Sequence, residues 1–464
     1  MTLIKSISGI RGTIGGKVGE SLSPIDVARF AAAYGTYVKD KEIGKKVIII
    51  GRDARPTGAA ISGIVSSTLM ALGLDVVDLG LSTTPTVEMA VVAEQAAGGI
   101  IITASHNPIQ WNALKLLNEK GEFISASDGA EMLKIAENEA YSFAEALKYG
   151  HYKQDDSYLQ KHINSILKLE LVDVEAISKR NFKIAVDAVN STGGIAVPML
   201  LEALGVKNVS KFFCEPTGHF PHNPEPLAEN LTQISAEIEK GKFDLGIAVD
   251  PDVDRLCFIC EDGHMFGEEY TLVAVADYVL SQRPGNSVSN LSSTRALKDV
   301  TEKLGGQYFA SAVGEVNVVE AMKAHNAVIG GEGNGGVIYP ELHNGRDALV
   351  GIALFLTHLA KFGKNISMLK ARYPNYHISK NKIELTPSIN VPQVLEEMKE
   401  RYKKQPINTI DGVRIDFDKE WVHLRASNTE PIIRIYAESD SISKADYLAN
   451  KIIVDIKEII ADKL

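Results

Sequence analysis

Gly99-Ile-Ile-Ile-Thr-Ala-Ser-His-Asn-Pro108 joins an unbroken apolar run to a turn closed by proline. An apolar run without polar alternation reads as a parallel-type strand buried on both faces, which puts Ser105 at its C-terminal end. In open α/β sheets ligands bind at that end, because the loops converge there and helix N-termini present free N–H groups. Ser, Asn and Pro are also ordinary turn formers, so the letters Thr103 to Pro108 alone leave a plain turn open. The flanks supply the context. Lys46-Val-Ile-Ile-Ile50 and Asp75-Val-Val-Asp-Leu79 are further strand-like runs, and helix-like stretches from Ala59 to Leu72 and from Thr84 to Ala96 alternate with them. That β-α-β-α-β order is the signature of a parallel sheet covered by helices. The pattern restarts at Lys183-Ile-Ala-Val-Asp187 and again near Gln307, which predicts three units of one architecture. A polar, helix-prone stretch from about Ala126 to Ser178 separates the first two.

From about Ile383 the character changes. Gly412-Val-Arg-Ile-Asp416, Trp421-Val-His-Leu424 and Ile432-Ile-Arg-Ile-Tyr436 alternate like half-exposed antiparallel strands, and Ser443 to Leu464 reads as an amphipathic helix. Arg372-Tyr-Pro-Asn-Tyr-His377 is the expected linker. A length of 464 residues suits about three domains of ~150 residues and leaves room for a large core. No stretch approaches the ~20 apolar residues of a membrane span, and the N-terminus lacks a basic region followed by an apolar one. The expected setting is cytoplasmic, with no membrane partner. A formal charge of −10 argues against a general nucleic-acid binder while allowing a local basic pocket. Cys214, Cys257 and Cys260 are too few for a disulfide framework. Cys257-Phe-Ile-Cys260 has no second pair or matching histidines for zinc, and its apolar setting reads as a strand with buried thiols.

Three further stretches carry chemistry. Asp250-Pro-Asp-Val-Asp-Arg255 follows the apolar run Leu245-Gly-Ile-Ala-Val249. Its three carboxylates at alternate positions would repel one another without a cation, and hard divalent ions such as Mg²⁺ or Ca²⁺ take oxygen ligands. An EF-hand is excluded, because Arg255 stands where its loop needs glycine and the flanks read as strands. A solvated acidic turn is the plain alternative. Ile329-Gly-Gly-Glu-Gly-Asn-Gly-Gly336 satisfies G-x-G-x-x-G, but the strand-like Val337-Ile-Tyr-Pro340 follows where a dinucleotide site demands a helix. A loop of close backbone approach remains, presenting Glu332 and Asn334 to sugar hydroxyls, or simply a tight turn. Arg425-Ala-Ser-Asn-Thr-Glu-Pro-Ile-Ile-Arg434 combines two guanidinium groups with hydroxyls and turn N–H groups, the composition of a phosphate cradle. Its plain alternative is a capping turn with surface arginines.

Together, Thr103 to Pro108, Asp250 to Arg255, Gly331-Glu-Gly-Asn-Gly335 and Arg425 to Pro431 resemble, in order and spacing, the α-D-phosphohexomutases. Gly9-Ile-Arg-Gly12, Gly51-Arg-Asp-Ala-Arg55, Asn112-Ala-Leu-Lys115 and Phe220-Pro-His-Asn-Pro-Glu-Pro226 extend the likeness over nearly the whole chain. The resemblance implies an α/β protein of four domains around a central cleft. Three are related α/β/α sandwiches: a phosphoserine-loop domain (1–150), a metal-loop domain (151–262) and a sugar-loop domain (263–372). The fourth (380–464) is a phosphate-binding α+β domain resembling the TATA-box-binding-protein fold.

The resemblance also implies roles. Ser105 matches the serine phosphorylated in the active enzyme; Asp250, Asp252 and Asp254 match Mg²⁺ ligands, with the phosphoserine as another. Arg11, His106 and Lys115 match residues around the transferring phosphoryl group, Arg11 and Lys115 being candidate proton shuttles. Arg255 stands beside the metal loop, Glu332 and Asn334 match the sugar loop, and Arg425, Ser427, Asn428, Thr429 and Arg434 match the grip on the non-reacting phosphate. The implied reaction interconverts hexose or hexosamine 6-phosphate and 1-phosphate through a hexose 1,6-bisphosphate, in a monomer or homodimer. Asn334 and Gly336 depart from a common Gly-Glu-x-Ser-Gly-His pattern and resemble phosphoglucosamine mutases of archaeal type. Phosphomannomutase or phosphoglucomutase activity is the alternative within the family. A metal-dependent sugar-phosphate hydrolase, which would release inorganic phosphate, and a sugar-phosphate sensor, which would not turn over, are the alternatives outside it.

Overall fold

Four β-sheets are strung along the chain in a computed structural model that describes residues 2–6, 9–385, 389–426 and 432–461. In the seven-stranded first sheet, Lys45–Arg52 lies between Asp75–Leu81 and Ala96–Ile102, both parallel to it. Trp111–Leu117 then returns antiparallel beside Ala96–Ile102 and carries Gly9–Thr13 and Ile4–Ser6 outside it. The four-stranded second sheet repeats the core of this pattern. Lys183–Asp187 lies between Asn208–Phe212 and Leu245–Val249, and Leu256–Cys260 returns antiparallel. The four-stranded third repeats it again with Asn286–Asn290, Tyr308–Ser311, Ala327–Glu332 and the returning Gly336–Ile338. Each unit therefore has one hairpin at the same place, where its third strand turns back. Those hairpins hold Ser105, the three aspartates and the Glu332 loop.

The sequence dictates these strands by burial. Every residue of Ala96–Ile102, Leu245–Val249 and Leu256–Cys260 is buried, so helices must cover both faces. Thr84–Glu94 is one such helix, started by Thr83, whose side chain accepts from the Thr86 N–H. Ala348–Phe362 is another, started by Asp347, which accepts from the N–H groups of Leu349 and Val350. The second and third units share a single apolar core: Ile184, Val186 and Leu245 belong to the same cluster as Val273, Leu349 and Phe355. The first unit keeps separate clusters on its two sheet faces.

The last sheet is wholly antiparallel, in the order His377–Glu384, Ile432–Ser439, Trp421–Ala426, Val413–Asp416, Ile407–Asn408. Val422, Leu424, Ile433 and Ile435 pack on the helices Val391–Arg401 and Ile442–Ala461. The alternate residues, the buried Trp421 among them, turn toward the third unit, and polar groups join the two. Ser292 Oγ lies 2.9 Å from His423 Nδ1, Arg414 donates to the Leu291 carbonyl (2.5 Å), and the Arg295 N–H donates to Glu438 (3.0 Å). Three related α/β units plus this α+β unit are the architecture expected.

Three expectations need correction. The third repeat restarts at Asn286–Asn290, not near Gln307; Asn-Ser-Val-Ser-Asn carries one apolar residue and hides a buried strand behind polar letters. The stretch from Ala126 to Ser178 contains an exposed edge strand, Tyr152–Gln154, besides its helices. His377, assigned to the linker, opens the eight-residue strand His377–Glu384. Among the described residues no helix is long and apolar enough to cross a membrane, and all three cysteines are free thiols.

Candidate active site

Ser105 sits in its hairpin at φ +48°, a left-handed conformation that a non-glycine residue holds only when its surroundings enforce it. The enforcing group is Arg55. Its guanidinium donates to the carbonyls of Ser105 (2.6 Å), Asn107 (2.6 Å), Pro108 (2.7 Å) and Trp111 (2.9 Å), and its Nε donates to Asp53 (3.0 Å). Asp53 also accepts from Thr103 Oγ1 (2.7 Å), which in turn accepts from the Ser105 N–H (2.9 Å). The serine loop is thus tied at both ends, and its hydroxyl is held toward the second unit.

There Ser105 Oγ donates to Asp250 Oδ2 at 2.7 Å. Asp250, Asp252 and Asp254 are all 0% exposed, so this is no solvated acidic turn. One oxygen from each lies within 4.8 Å of the others. Burial, then Asp254 and Asp252, push the Asp250 carboxyl well above its ordinary range. Burial acts the same way on Asp254, but Arg346, Lys115 and Arg255 outweigh it and hold that group below its ordinary range. Among the described residues, Asp252 Oδ1 and Asp254 Oδ1 have no hydrogen-bond partner. Two orphaned carboxylate oxygens beside a third carboxylate are an oxygen donor set that a hard divalent ion such as Mg²⁺ fits.

Two cations occupy the remaining faces of the loop. Lys115 donates to Asp252 Oδ2 (2.6 Å) and Asp254 Oδ2 (3.3 Å); burial lowers its pKa, yet the two aspartates prevail and keep the ammonium charged. Thr84 Oγ1 also donates to Asp252 Oδ2 (2.6 Å). Arg346 spans three carboxylates: Asp254 (2.8 Å), Glu332 (2.8 Å) and Glu315 (2.9 Å). One buried guanidinium therefore fastens the acidic loop of the second unit to the Glu332 loop of the third. Glu332 Oε1 accepts from Asn290 (2.7 Å) and the Gly314 N–H (3.0 Å), while among the described residues Oε2 takes only Arg346 and keeps acceptor capacity for a ligand. Asn334 Oδ1 caps its own turn, accepting from the Gly336 N–H at 3.2 Å.

Around this acidic centre lie the other expected cations. Burial, then Arg434 and Arg255, lower the pKa of Arg11. Arg255 pairs with Glu225 at 3.0 Å. His106, with Nδ1 3.4 Å from Ser105 Oγ, is driven well below its ordinary pKa by burial and by Arg255, so its imidazole is neutral. Arg425 and Arg434 are direct cross-strand partners, and Lys382 lies opposite Arg434 on the next strand. Like charges facing each other across a sheet repel unless an anion lies over them. Arg425 Nε also lies 2.8 Å from Asp411 Oδ2. Ser427, Asn428 and Thr429 lie outside the described residues. Sequence reasoning passed over Arg346, Glu315, Asp53 and Thr84, and gave Arg55 no role. The Arg346-Asp347 pair at the mouth of a long apolar helix was the available signal.

The chain matches the phosphoglucomutase/phosphomannomutase family over four consecutive blocks: α/β/α domains I (3–142), II (158–263) and III (267–376), and the C-terminal domain (386–453). The chain belongs to this family. It is accordingly a phosphohexomutase, an enzyme of the isomerase class. A family member from Thermococcus kodakarensis, named phosphoglucomutase/phosphomannomutase, is 36% identical over 94% of this chain and 96% of its own. A phosphoglucosamine/phosphogalactosamine mutase from Sulfurisphaera tokodaii is 31% identical over 98% of both. The crystal structure of a phosphoglucomutase/phosphomannomutase family protein from Burkholderia thailandensis superposes with a TM-score of 0.84 at 25% identity, covering 98% of both chains.

Proposed function

We propose that this phosphohexomutase interconverts the 6-phosphate and 1-phosphate of a hexosamine, glucosamine first, with Ser105 as the phosphoryl carrier. The observation that carries this reading is Ser105 Oγ at 2.7 Å from Asp250, within a buried triad that also engages Lys115. Asp250, Asp252 and Asp254 would hold Mg²⁺, which when bound neutralises charge on the phosphoryl oxygens. Phosphorylated Ser105 gives its phosphoryl group to the free hydroxyl of a bound sugar monophosphate, and the resulting bisphosphate returns its other phosphate to Ser105 Oγ. Lys115, buried and bonded to Asp252 and Asp254, and Arg11 are the candidates for taking the proton of the sugar hydroxyl and supplying one to Ser105 Oγ as the phosphoryl group leaves. Glu332 orients a sugar hydroxyl or ammonium through its remaining Oε2 capacity. Arg55 acts through the serine loop and not on the substrate.

The hexosamine assignment rests on the Asn334-type loop, and the two relatives named above carry different sugars in their names. Initial rates on glucosamine, glucose and mannose 6-phosphates, each with a trace of the matching 1,6-bisphosphate, decide between them. The expected result is the highest kcat/KM on glucosamine 6-phosphate. A higher value on glucose or mannose phosphate transfers the assignment to the other branch, and release of inorganic phosphate in place of the isomer makes the enzyme a hydrolase.

The distal phosphate is assigned to the facing Arg425 and Arg434 of the last sheet. Losing one charge-assisted phosphate contact costs about 1.5–3 kcal/mol, roughly a ten- to hundredfold loss of affinity. Arg425→Ala should therefore raise KM by that factor, with a smaller change in kcat. An unaltered KM would move the phosphate grip elsewhere.

A further inference from the structure

Away from the aspartate triad, a second group of ligand-type side chains converges at the junction of the first three units. His162, on the helix Tyr158–Leu167, and His343, in the loop before Asp347, both aim Nε2 at the same atom, Asp347 Oδ2, at 2.9 and 3.3 Å. Their ring planes stand at 90°. One candidate ligand atom from each of the three residues lies within 4.8 Å of the others. The other nitrogen of each ring faces an oxygen. His162 Nδ1 is 2.9 Å from Thr86 Oγ1, itself 2.7 Å from Thr83 Oγ1, and His343 Nδ1 is 3.3 Å from Glu88 Oε2. Asp347 Oδ1 is engaged as the cap of its helix, which fixes the carboxylate and leaves Oδ2 facing the rings.

This is the construction of a transition-metal site. Metal-binding histidines characteristically give their second N–H to a carboxylate or hydroxyl, which fixes the ring and leaves the other nitrogen free to ligate. Four-coordinate zinc at ~2.0–2.1 Å from its ligands sets neighbouring donors about 3.3 Å apart, the separation of His343 Nε2 from Asp347 Oδ2 and somewhat more than the 2.9 Å of His162 Nε2. Glu88 is 1% exposed, and burial, then Glu315, push its carboxyl pKa up to about 8, so cationic character at His343 is what would favour its ionised form. Space has been kept for it, since a Cβ on Gly345 would come within 1.9 Å of Glu88 Oε2. His343 retains about 10% side-chain exposure, so the group is not sealed from solvent.

We infer that His162, His343 and Asp347 form a structural binding site for one zinc-class ion, with Glu88 and Thr86 orienting the two imidazoles. The ion would staple three units: the helix of Thr86 and Glu88, the helix of His162, and the entry to the helix Ala348–Phe362. Imidazole nitrogen distinguishes it chemically from the all-oxygen aspartate triad, because Zn²⁺ and Co²⁺ favour nitrogen donors and Mg²⁺ does not. It is independent of which sugar the enzyme takes.

The test uses the intact protein, stripped of metals and titrated with Zn²⁺ and with Co²⁺ in the presence of excess Mg²⁺. The expected result is one tightly held zinc per chain by inductively coupled plasma mass spectrometry. One equivalent of Co²⁺ should give the visible absorption of a four-coordinate ion, and zinc should raise the midpoint of thermal unfolding by several degrees. His343→Asn, chosen because this side chain is only partly buried, should lose the zinc equivalent and the thermal response, whereas Asp252→Asn should keep both. Wild-type protein that takes up no equivalent of zinc or cobalt would overturn the site, leaving two N–H donors shared by one carboxylate. Undiminished zinc in His343→Asn, or loss of it in Asp252→Asn, would overturn the ligand assignment.

Discussion

Ser105→Ala is expected to lower turnover by on the order of 10⁴-fold or more, the scale at which an enzyme loses its covalent carrier. The wild-type protein stripped of phosphate should behave alike, with one difference that identifies the mechanism. A bare hydroxyl can only take phosphate from a monophosphorylated sugar and leave a dead product, so each cycle has to begin with Ser105 loaded. A trace of hexose 1,6-bisphosphate should restore the dephosphorylated wild type, because either phosphate of that compound can load Ser105. It should do nothing for the alanine variant. Phosphatase treatment, intact-mass confirmation of the loss, and assays with and without the bisphosphate make the comparison. The substitution should leave the loop in place, since its shape is held by Arg55 and Asp53 through the Ser105 backbone, and not through the hydroxyl. Full activity of unphosphorylated protein without bisphosphate would mean that the phosphate travels by another route.

Asp252→Asn should reduce Mg²⁺ affinity at least ~100-fold and carry turnover down with it, because it removes a ligand where even outer groups are worth 10–100-fold. Asp252 Oδ2 accepts from Thr84 and Lys115, and Oδ1 is without a partner among the described residues. An asparagine keeping its carbonyl on Thr84 and Lys115 would turn its NH₂ toward the place of the cation and repel it. Without metal the variant should also melt lower than the metal-free wild type, because Lys115, 2.6 Å from Asp252, loses the charge of one of its two buried carboxylate partners. Calorimetric titration with Mg²⁺ and thermal melts in chelator measure the two effects. Unchanged Mg²⁺ affinity, or wild-type turnover unaffected by chelator, would remove the triad from the role given to it.

How much of this was legible in the letters follows from where the physical information lies. Lys45–Arg52, Asp75–Leu81 and Ala96–Ile102 could be read because a strand buried on both faces has little choice but apolar residues. Asn286–Asn290 could not, since its buried Ser287 takes a bond from or gives one to Thr301 on the covering helix, which lets a polar residue stand in the core. Ser105, the three aspartates and Glu332 are local motifs and stood out as such. Arg346 did not, because its meaning depends on partners 92, 31 and 14 residues away that only the fold assembles. His162 and His343 are likewise isolated histidines in the sequence and become a pair at the junction of the units.

The polar seam between the last sheet and the third unit sets how that sheet responds to temperature. Its apolar face stays covered by its own two helices, so separating it from Ser292, Leu291 and Arg295 wets hydrogen-bonding groups and the indole of Trp421 but leaves the sheet's own core dry. Hydration of apolar surface raises heat capacity and hydration of polar surface lowers it. Swinging the sheet away would therefore carry a much smaller heat-capacity change than melting the core shared by the second and third units. The balance between engaged and released sheet would then bend less with temperature than the stability of the rest of the molecule, which obeys a strongly curved profile.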